Sequence, residues 1–367
     1  MIPQANPGAG YRALKPEIDA AVARALASGW YILGAEGRAF EAEFAAWLGA
    51  GHAVGCANGT DALCLALRAL AIGPGSAVAT VSHTAVATVA AIEMVGATPV
   101  LIDIDPLHYT IDPVELAEVL ARPPAGLPPI RAVIAVHLYG QAADLDALLP
   151  LCAGHGVALI EDCAQAHGAT WHGKRLGTIG AIGTFSLYPT KNLGALGDGG
   201  VVATNTAEHA SAMAALRQYG WRQHYISDLA GVNSRLDEIQ AAILRVKLPH
   251  LNAGNARRRA IAAAFDAALP ALAPARRAGG THVFHQYVLR LPNRAAVQGQ
   301  LREAGIGTGI HYPQPVHTQP AYRGRVALGP AGCRASETAS AELLSLPIYP
   351  ELTDAEVATI CAALGKL

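Results

Sequence analysis

The chain has 367 residues, 27 Lys and Arg against 28 Asp and Glu, and 52% hydrophobic residues, enough to bury one large core and a second, smaller one. Charged residues make up only 15% and the net charge is −1, which excludes the electrostatic excess that nucleic acid or an anionic membrane requires. No apolar run approaches the roughly 18 residues of a membrane span, and the first residues carry neither a basic nor an apolar signal region, so a cytoplasmic location is expected.

In chain order, short apolar runs alternate with helical patterns from about residue 50 to residue 205, the signature of βαβ units around a mostly parallel sheet. Strands are predicted at 77–81, 99–102, 132–136, 157–160, 182–186 and 200–203, with helices at 61–70, 86–95, 114–121 and 145–153. Right-handed crossovers of this length put helices on both faces and the strand C-termini on one edge, where ligands bind. A long helix at 236–265, interrupted near Pro249, leads into a second pattern: a strand at 283–291, a helix at 295–304, a Pro- and His-rich stretch at 310–322 and a closing helix at 354–364. We therefore expect a large domain over 1–248 and a smaller α+β domain over 249–367. The six cysteines show neither C-x-x-C nor zinc-finger spacing, and no metal site is expected.

Three groups on the ligand edge carry chemistry. Asn58-Gly59-Thr60-Asp61 opens a helix after a short strand, and free N–H groups with a flexible glycine make an anion cradle. Capping by Thr60 or Asp61 explains the same residues equally well. Glu161-Asp162 ends a buried strand, where a carboxylate is costly unless it meets a cation, although one Asp there can simply cap a turn. Lys191 follows the strand at 182–186 in a Pro-containing loop ahead of a Gly-rich run. A water-poor cleft would disfavour its ammonium form and make it a nucleophile; in isolation it reads as a surface lysine. Carboxylate, lysine and phosphate cradle together match the needs of pyridoxal 5′-phosphate: a partner for the ring nitrogen, a Schiff-base amine and a phosphate anchor. A nicotinamide cofactor would ask for G-x-G-x-x-G at the first turn, and a zinc hydrolase for H-E-x-x-H; neither is present.

The segments NGTDAL (58–63), SHTAVATVAAIE (82–93), EDCAQAHGA (161–169), FSLYPTKNLGALGDGG (185–200) and GVNSRLDEIQAA (231–242) keep an order that resembles the DegT/DnrJ/EryC1/StrS sugar aminotransferases. The resemblance spans nearly the whole chain. It implies the aspartate-aminotransferase α/β fold (PLP fold type I) and assigns Lys191 to the Schiff base, Asp162 to the ring nitrogen and Gln165 to the ring hydroxyl. His83, otherwise a core histidine, takes the place that stacks on the ring. Gly59, Thr60 and Ser186 become phosphate contacts, with Asn233 reaching across from the second subunit of a homodimer whose active sites are composite. A lysine at 191, where a dehydrating branch of the family carries histidine, favours transamination.

L-glutamate is the amino donor the resemblance implies, and a nucleotide-linked keto sugar the acceptor. Tyr225, His311, Tyr312 and His317 correspond to sugar contacts, although a Pro- and His-rich stretch is also an ordinary polar loop. Ser234 and Leu236 stand where 4-keto enzymes of the family more often carry an aromatic residue and Met. That points to a dTDP-linked 3-keto-6-deoxyhexose, with a UDP-linked 3-keto-N-acetylhexosamine uronate or a 4-keto-6-deoxy sugar as alternatives. A cofactor-bound regulator without turnover is the competing class, against which stands the complete set of Lys191, Asp162, Gln165, His83 and Ser186.

Overall fold

The computed structural model describes residues 1–367. Its largest element is an eight-stranded sheet, which runs His52–Cys56, Gly200–Thr204, Ile182–Ser186, Ala158–Asp162, Ile130–Val136, Ala77–Val81, Thr98–Ile102 and Ala327–Leu328 from edge to edge. All five residues of Ala77–Val81 are buried, as expected of a parallel strand covered by helices on both faces. Register aligns Val136 with Asp162 and Asp162 with Thr184, so the C-terminal ends of three strands meet at one edge.

One strand departs from the expected parallel pattern. Gly200–Thr204 is antiparallel to both of its neighbours. The segment before it contains no helix and folds on itself, the Leu187 amide donating to Gly199 O and the Ala195 amide to Leu187 O. Without a crossover, the chain can only return antiparallel. That compact loop carries Lys191.

Pro249 interrupts the long helix as expected: Glu238–Lys247 passes through a 3₁₀ turn, Leu248–His250, into Leu251–Ala268. At its start, the buried Glu238 carboxylate accepts from the amides of Gly34, Glu36 and Gly37 at 2.8, 2.8 and 2.9 Å. The carboxylate thereby satisfies the free donors at the N-terminus of helix Ala35–Leu48.

Beyond residue 249 a second core forms around Phe265, Tyr287, Leu289, Leu344, Leu346 and Ile360. Its two-stranded sheet pairs Tyr287–Arg290 with Leu343–Leu346. The segment 316–342, grouped on sequence with this smaller region, packs instead on the large sheet. Ala327–Leu328 extends the sheet beside Thr98–Ile102, and Val316, Tyr322 and Cys333 bury against Val89 and Leu101. The Asp103 carboxylate then accepts from the amides of Ala335 and Ser336 at 2.7 and 2.9 Å, which draws helix Arg334–Glu342 to the strand end. All six cysteines are free and five of them buried, and no helix is long and apolar enough to cross a membrane.

Candidate active site

Asp162 and Glu161 end the same strand and, because side chains alternate across a sheet, serve opposite faces. The Glu161 carboxylate accepts from the amides of Gly177, Ile179 and Gly180 at 2.7 to 2.8 Å and from His137 Nε2 at 3.1 Å. His137 Nδ1 accepts from the Ala143 amide at 3.0 Å, so the proton of the neutral ring sits on Nε2. His137, Glu161 and Cys163 bring donor atoms within 4.8 Å of one another, but those of His137 and Glu161 are committed to these bonds. The arrangement is structural.

Asp162 is 5% exposed. One carboxylate oxygen accepts from the Ala164 amide at 3.1 Å and the other from the Thr88 hydroxyl at 3.0 Å. Burial raises its pKa, opposed by those two donors and by the charge of Lys191. Burial in turn pushes the Lys191 ammonium down to about 8, with Asp162 pulling the other way. An amine so placed exchanges its proton near neutral pH.

Asn58, not Thr60 or Asp61, caps the helix Gly59–Ala69, its side chain accepting from the Asp61 amide at 2.8 Å. The amides of Gly59 and Thr60 are left without acceptors in the chain. A Cβ on Gly59 would lie 2.6 Å from Ser186 Cβ, so the glycine is what lets the helix start touch the strand end. Asp61 is engaged from the other side by the Ser234 hydroxyl at 2.7 Å, and Ser234 Oγ accepts from the Ala57 amide at 3.1 Å. Leu236 is buried against Gly55 and Gly199.

A buried network joins the remaining residues. His83 is fully buried, with Nε2 2.7 Å from Tyr139 Oη and Nδ1 3.2 Å from Ser340 Oγ. Burial lowers its pKa to about 4, so the ring is neutral. Gln165 Oε1 accepts from the Tyr139 amide at 2.7 Å, which forces its Nε2 donors outward; one of them meets Tyr312 Oη at 3.0 Å. The carbonyl of His311 accepts from the Tyr139 hydroxyl. His311 Nδ1 lies 2.9 Å from Ser345 Oγ, and burial, then the charge of Lys191, lowers that ring's pKa to about 4.

The structure thus gathers Lys191, Asp162, His83, Gln165, His311 and Tyr312, and sets Gly59, with Thr60 next to it in the same helix start, against Ser186. It does not bring His317 to them. That ring is buried, with Nδ1 2.7 Å from Ser82 Oγ and Nε2 2.9 Å from Glu337, so it pins the segment after residue 315 to the sheet and has no nitrogen left for a ligand. Tyr225 sits at the tip of the hairpin formed by Trp221–Gln223 and Ile226–Ser227, 76% exposed, its ring beside those of Trp221 and His224. Asn233 is exposed in a separate cavity of about 500 Å³ shared with Asp198 and Arg235. Thr88, Tyr139, Ser340 and Ser345 are site residues that sequence reasoning missed. Thr88 lies within the segment SHTAVATVAAIE and was open to notice; nothing marks the other three.

The chemistry of the donors fits pyridoxal phosphate. Two free amides with a hydroxyl suit a phosphate, a buried carboxylate suits a ring-nitrogen proton, and an outward amide suits a phenolic oxygen. Fold and site define a type I pyridoxal-phosphate aminotransferase. Residues 12–365 match the DegT/DnrJ/EryC1/StrS aminotransferase family, and the chain belongs to it. It is 45% identical over 348 residues to the dTDP-3-amino-3,4,6-trideoxy-alpha-D-glucose transaminase of Streptomyces venezuelae, covering 94% of this chain and 90% of the relative. It is 43% identical over 370 residues to the UDP-N-acetyl-3-dehydro-alpha-D-glucosamine 3-aminotransferase of Acidithiobacillus ferrooxidans, covering 100% and 97%. The crystal structure of S. venezuelae DesV in complex with a ketimine intermediate superposes with a TM-score of 0.94 at 43% identity, covering 100% of this chain and 98% of that one.

Proposed function

We propose that the protein transfers an amino group from L-glutamate to C3 of a dTDP-linked 3-keto-6-deoxyhexose, working as a homodimer. The observation that carries the reading is the buried pair of Lys191 and Asp162 at adjoining strand ends, in a chain whose relatives aminate nucleotide-linked sugars. Pyridoxal phosphate supplies the electron sink that makes a proton on the substrate carbon removable. Lys191 Nζ moves that proton, its pKa near 8 letting it accept and return the proton at physiological pH. Asp162 would hold the positive ring nitrogen, and the Thr88 and Ala164 donors oppose the rise in its pKa that burial imposes. Gly59, Thr60 and Ser186 would receive the phosphate, His83 would face the ring and Gln165 would donate to the ring oxygen.

The acceptor enters beside His311. Tyr225 and Asn233, exposed here and away from that network, serve the partner's site in a dimer. His317 acts at one remove, by anchoring the segment that follows His311 and Tyr312 to Ser82 and Glu337.

A UDP-linked 3-keto-N-acetylhexosamine is the second reading, favoured by the 43% identity to the A. ferrooxidans enzyme. The test offers purified protein and L-glutamate a panel of dTDP- and UDP-linked 3-keto and 4-keto sugars. Nitrogen at C3 of a dTDP-linked 6-deoxyhexose, fixed by NMR of the product, is the expected result. Because a site that hydrogen-bonds its substrate discriminates by as much as ~10⁴-fold, the 4-keto isomer should react far more slowly. Nitrogen at C4 would refute the assignment, and turnover confined to the UDP sugars would replace it with the second reading.

A further inference from the structure

We propose that Tyr139 is a positioning residue that fixes the tautomer of His83 and ties it to the chain segment at His311, so that the ring-covering residue and the sugar-side segment are set together. The inference rests on the cofactor reading above for its catalytic consequence, though not for the hydrogen bonds themselves.

The direction of the chain is decided by which atoms can donate. A backbone carbonyl only accepts, so the single proton of the Tyr139 hydroxyl is spent on His311 O. Tyr139 Oη can then meet His83 Nε2, 2.7 Å away, only as an acceptor. His83 must therefore carry its proton on Nε2. Its Nδ1 becomes an acceptor facing Ser340 Oγ at 3.2 Å. A serine hydroxyl rotates and can donate or accept, so Ser340 follows the tautomer where Tyr139 dictates it. All three side chains are buried, at 0%, 2% and 2% exposure for His83, Tyr139 and Ser340, so water cannot replace a lost partner cheaply.

The backbone at Tyr139 supports the same role. Its φ of 60° lies in the left-handed region, uncommon for a bulky residue and retained where surrounding contacts hold it. That turn aims its amide at Gln165 Oε1 while the ring reaches His83. One residue thus orients both His83 and Gln165, the latter through its backbone and the former through its side chain. Removing only the hydroxyl should disturb His83 and leave Gln165 in place.

The experiment uses the full chain with cofactor bound, and again cofactor-free, labelled with ¹⁵N-histidine. His83 signals are assigned by their loss in His83→Phe. Wild type should show His83 as the pure Nε2–H tautomer in both states. Tyr139→Phe should give a mixture of tautomers, whereas Ser340→Ala should keep the pure Nε2–H form because Tyr139 still dictates it. In half-reaction kinetics, Tyr139→Phe should raise KM for the nucleotide sugar about 10-fold, as expected for one buried hydrogen bond lost from the His311 segment, with kcat and the L-glutamate half-reaction within about threefold. A pure Nε2–H tautomer in Tyr139→Phe overturns the proposal, and so does a mixture in Ser340→Ala, a result available even if Tyr139→Phe fails to fold. Equal losses in both half-reactions would make Tyr139 merely structural and overturn it as well. Absence of any half-reaction in wild type would sink the functional reading while leaving the tautomer result to be judged by itself.

Discussion

Lys191 is costly to the folded protein, and the cost has a pH signature. Burial holds its pKa at about 8 against the usual 10.5, so between those values the unfolded chain binds more protons than the native one. Stability must then rise as pH climbs through that window, and the full penalty applies below it. In cofactor-free protein, Lys191→Met should remove the rise and gain about 3.5 kcal/mol at pH 7, at roughly 1.4 kcal/mol per pKa unit over the drop from 10.5 to about 8. Urea midpoints of the two proteins measured from pH 7 to 11 should converge toward the alkaline end; a constant difference would mean that burial does not lower the pKa of this lysine. Asp162 makes a different prediction. Asp162→Asn preserves shape and the Gly59 cradle but cannot hold a protonated ring nitrogen, so turnover should fall at least about 100-fold while cofactor content changes little. Near-wild-type turnover, measured beside cofactor absorbance, would show that another group supplies the charge.

At the scale of elements, the site depends on how closely the helix Gly59–Ala69 approaches the strand Ile182–Ser186. Gly59→Ala would drive a methyl group to 2.6 Å from Ser186 Cβ, a separation that only a shift of helix against strand can relieve. The helix itself should survive, because Asn58 still caps it and Ala is the better helix former. Cofactor affinity should therefore drop about tenfold or more in a spectrophotometric titration, with the melting temperature of the cofactor-free protein within a few degrees of wild type; unchanged affinity would remove this helix start from the phosphate site. The elements that build this edge were legible because each is local: five buried residues at 77–81 and four at 182–185, bounded by turns, or the periodic run after Asn58. Long-range pairings were not. Strand Ala327–Leu328 is two residues long and exists because the large sheet offers a free edge beside Thr98–Ile102, and helix Arg334–Glu342 is placed by Asp103, far away in sequence. The same distinction divides the site. Lys191 and Asp162 lie at or just beyond strand ends that periodicity locates, whereas the anchoring of His317 is not legible because its partners Ser82 and Glu337 become neighbours only in the folded chain.

The whole molecule leaves the proposed phosphate site one-sided. Gly59, Thr60 and Ser186 approach from one direction, while Asn233 stays exposed in its own cavity and Tyr225 projects from a hairpin with no contact to the Lys191 network. In a two-fold dimer the same surface is used twice, so a residue that faces away from its own site can complete its partner's. Two singly damaged chains then have complementary defects. Lys191→Ala lacks the proton-transferring amine but offers an intact Asn233, and Asn233→Ala the reverse. In the hybrid dimer, one site collects both lesions and the other collects none. Random exchange of equal amounts makes half the dimers hybrid, each with one of its two sites intact, so recovery should approach a quarter of the wild-type rate per chain, provided exchange is demonstrated by a tagged subunit. Recovery no greater than the sum of the separate variants would show that Asn233 serves the site of its own chain, and with it would go the assignment of Tyr225 to the partner's sugar.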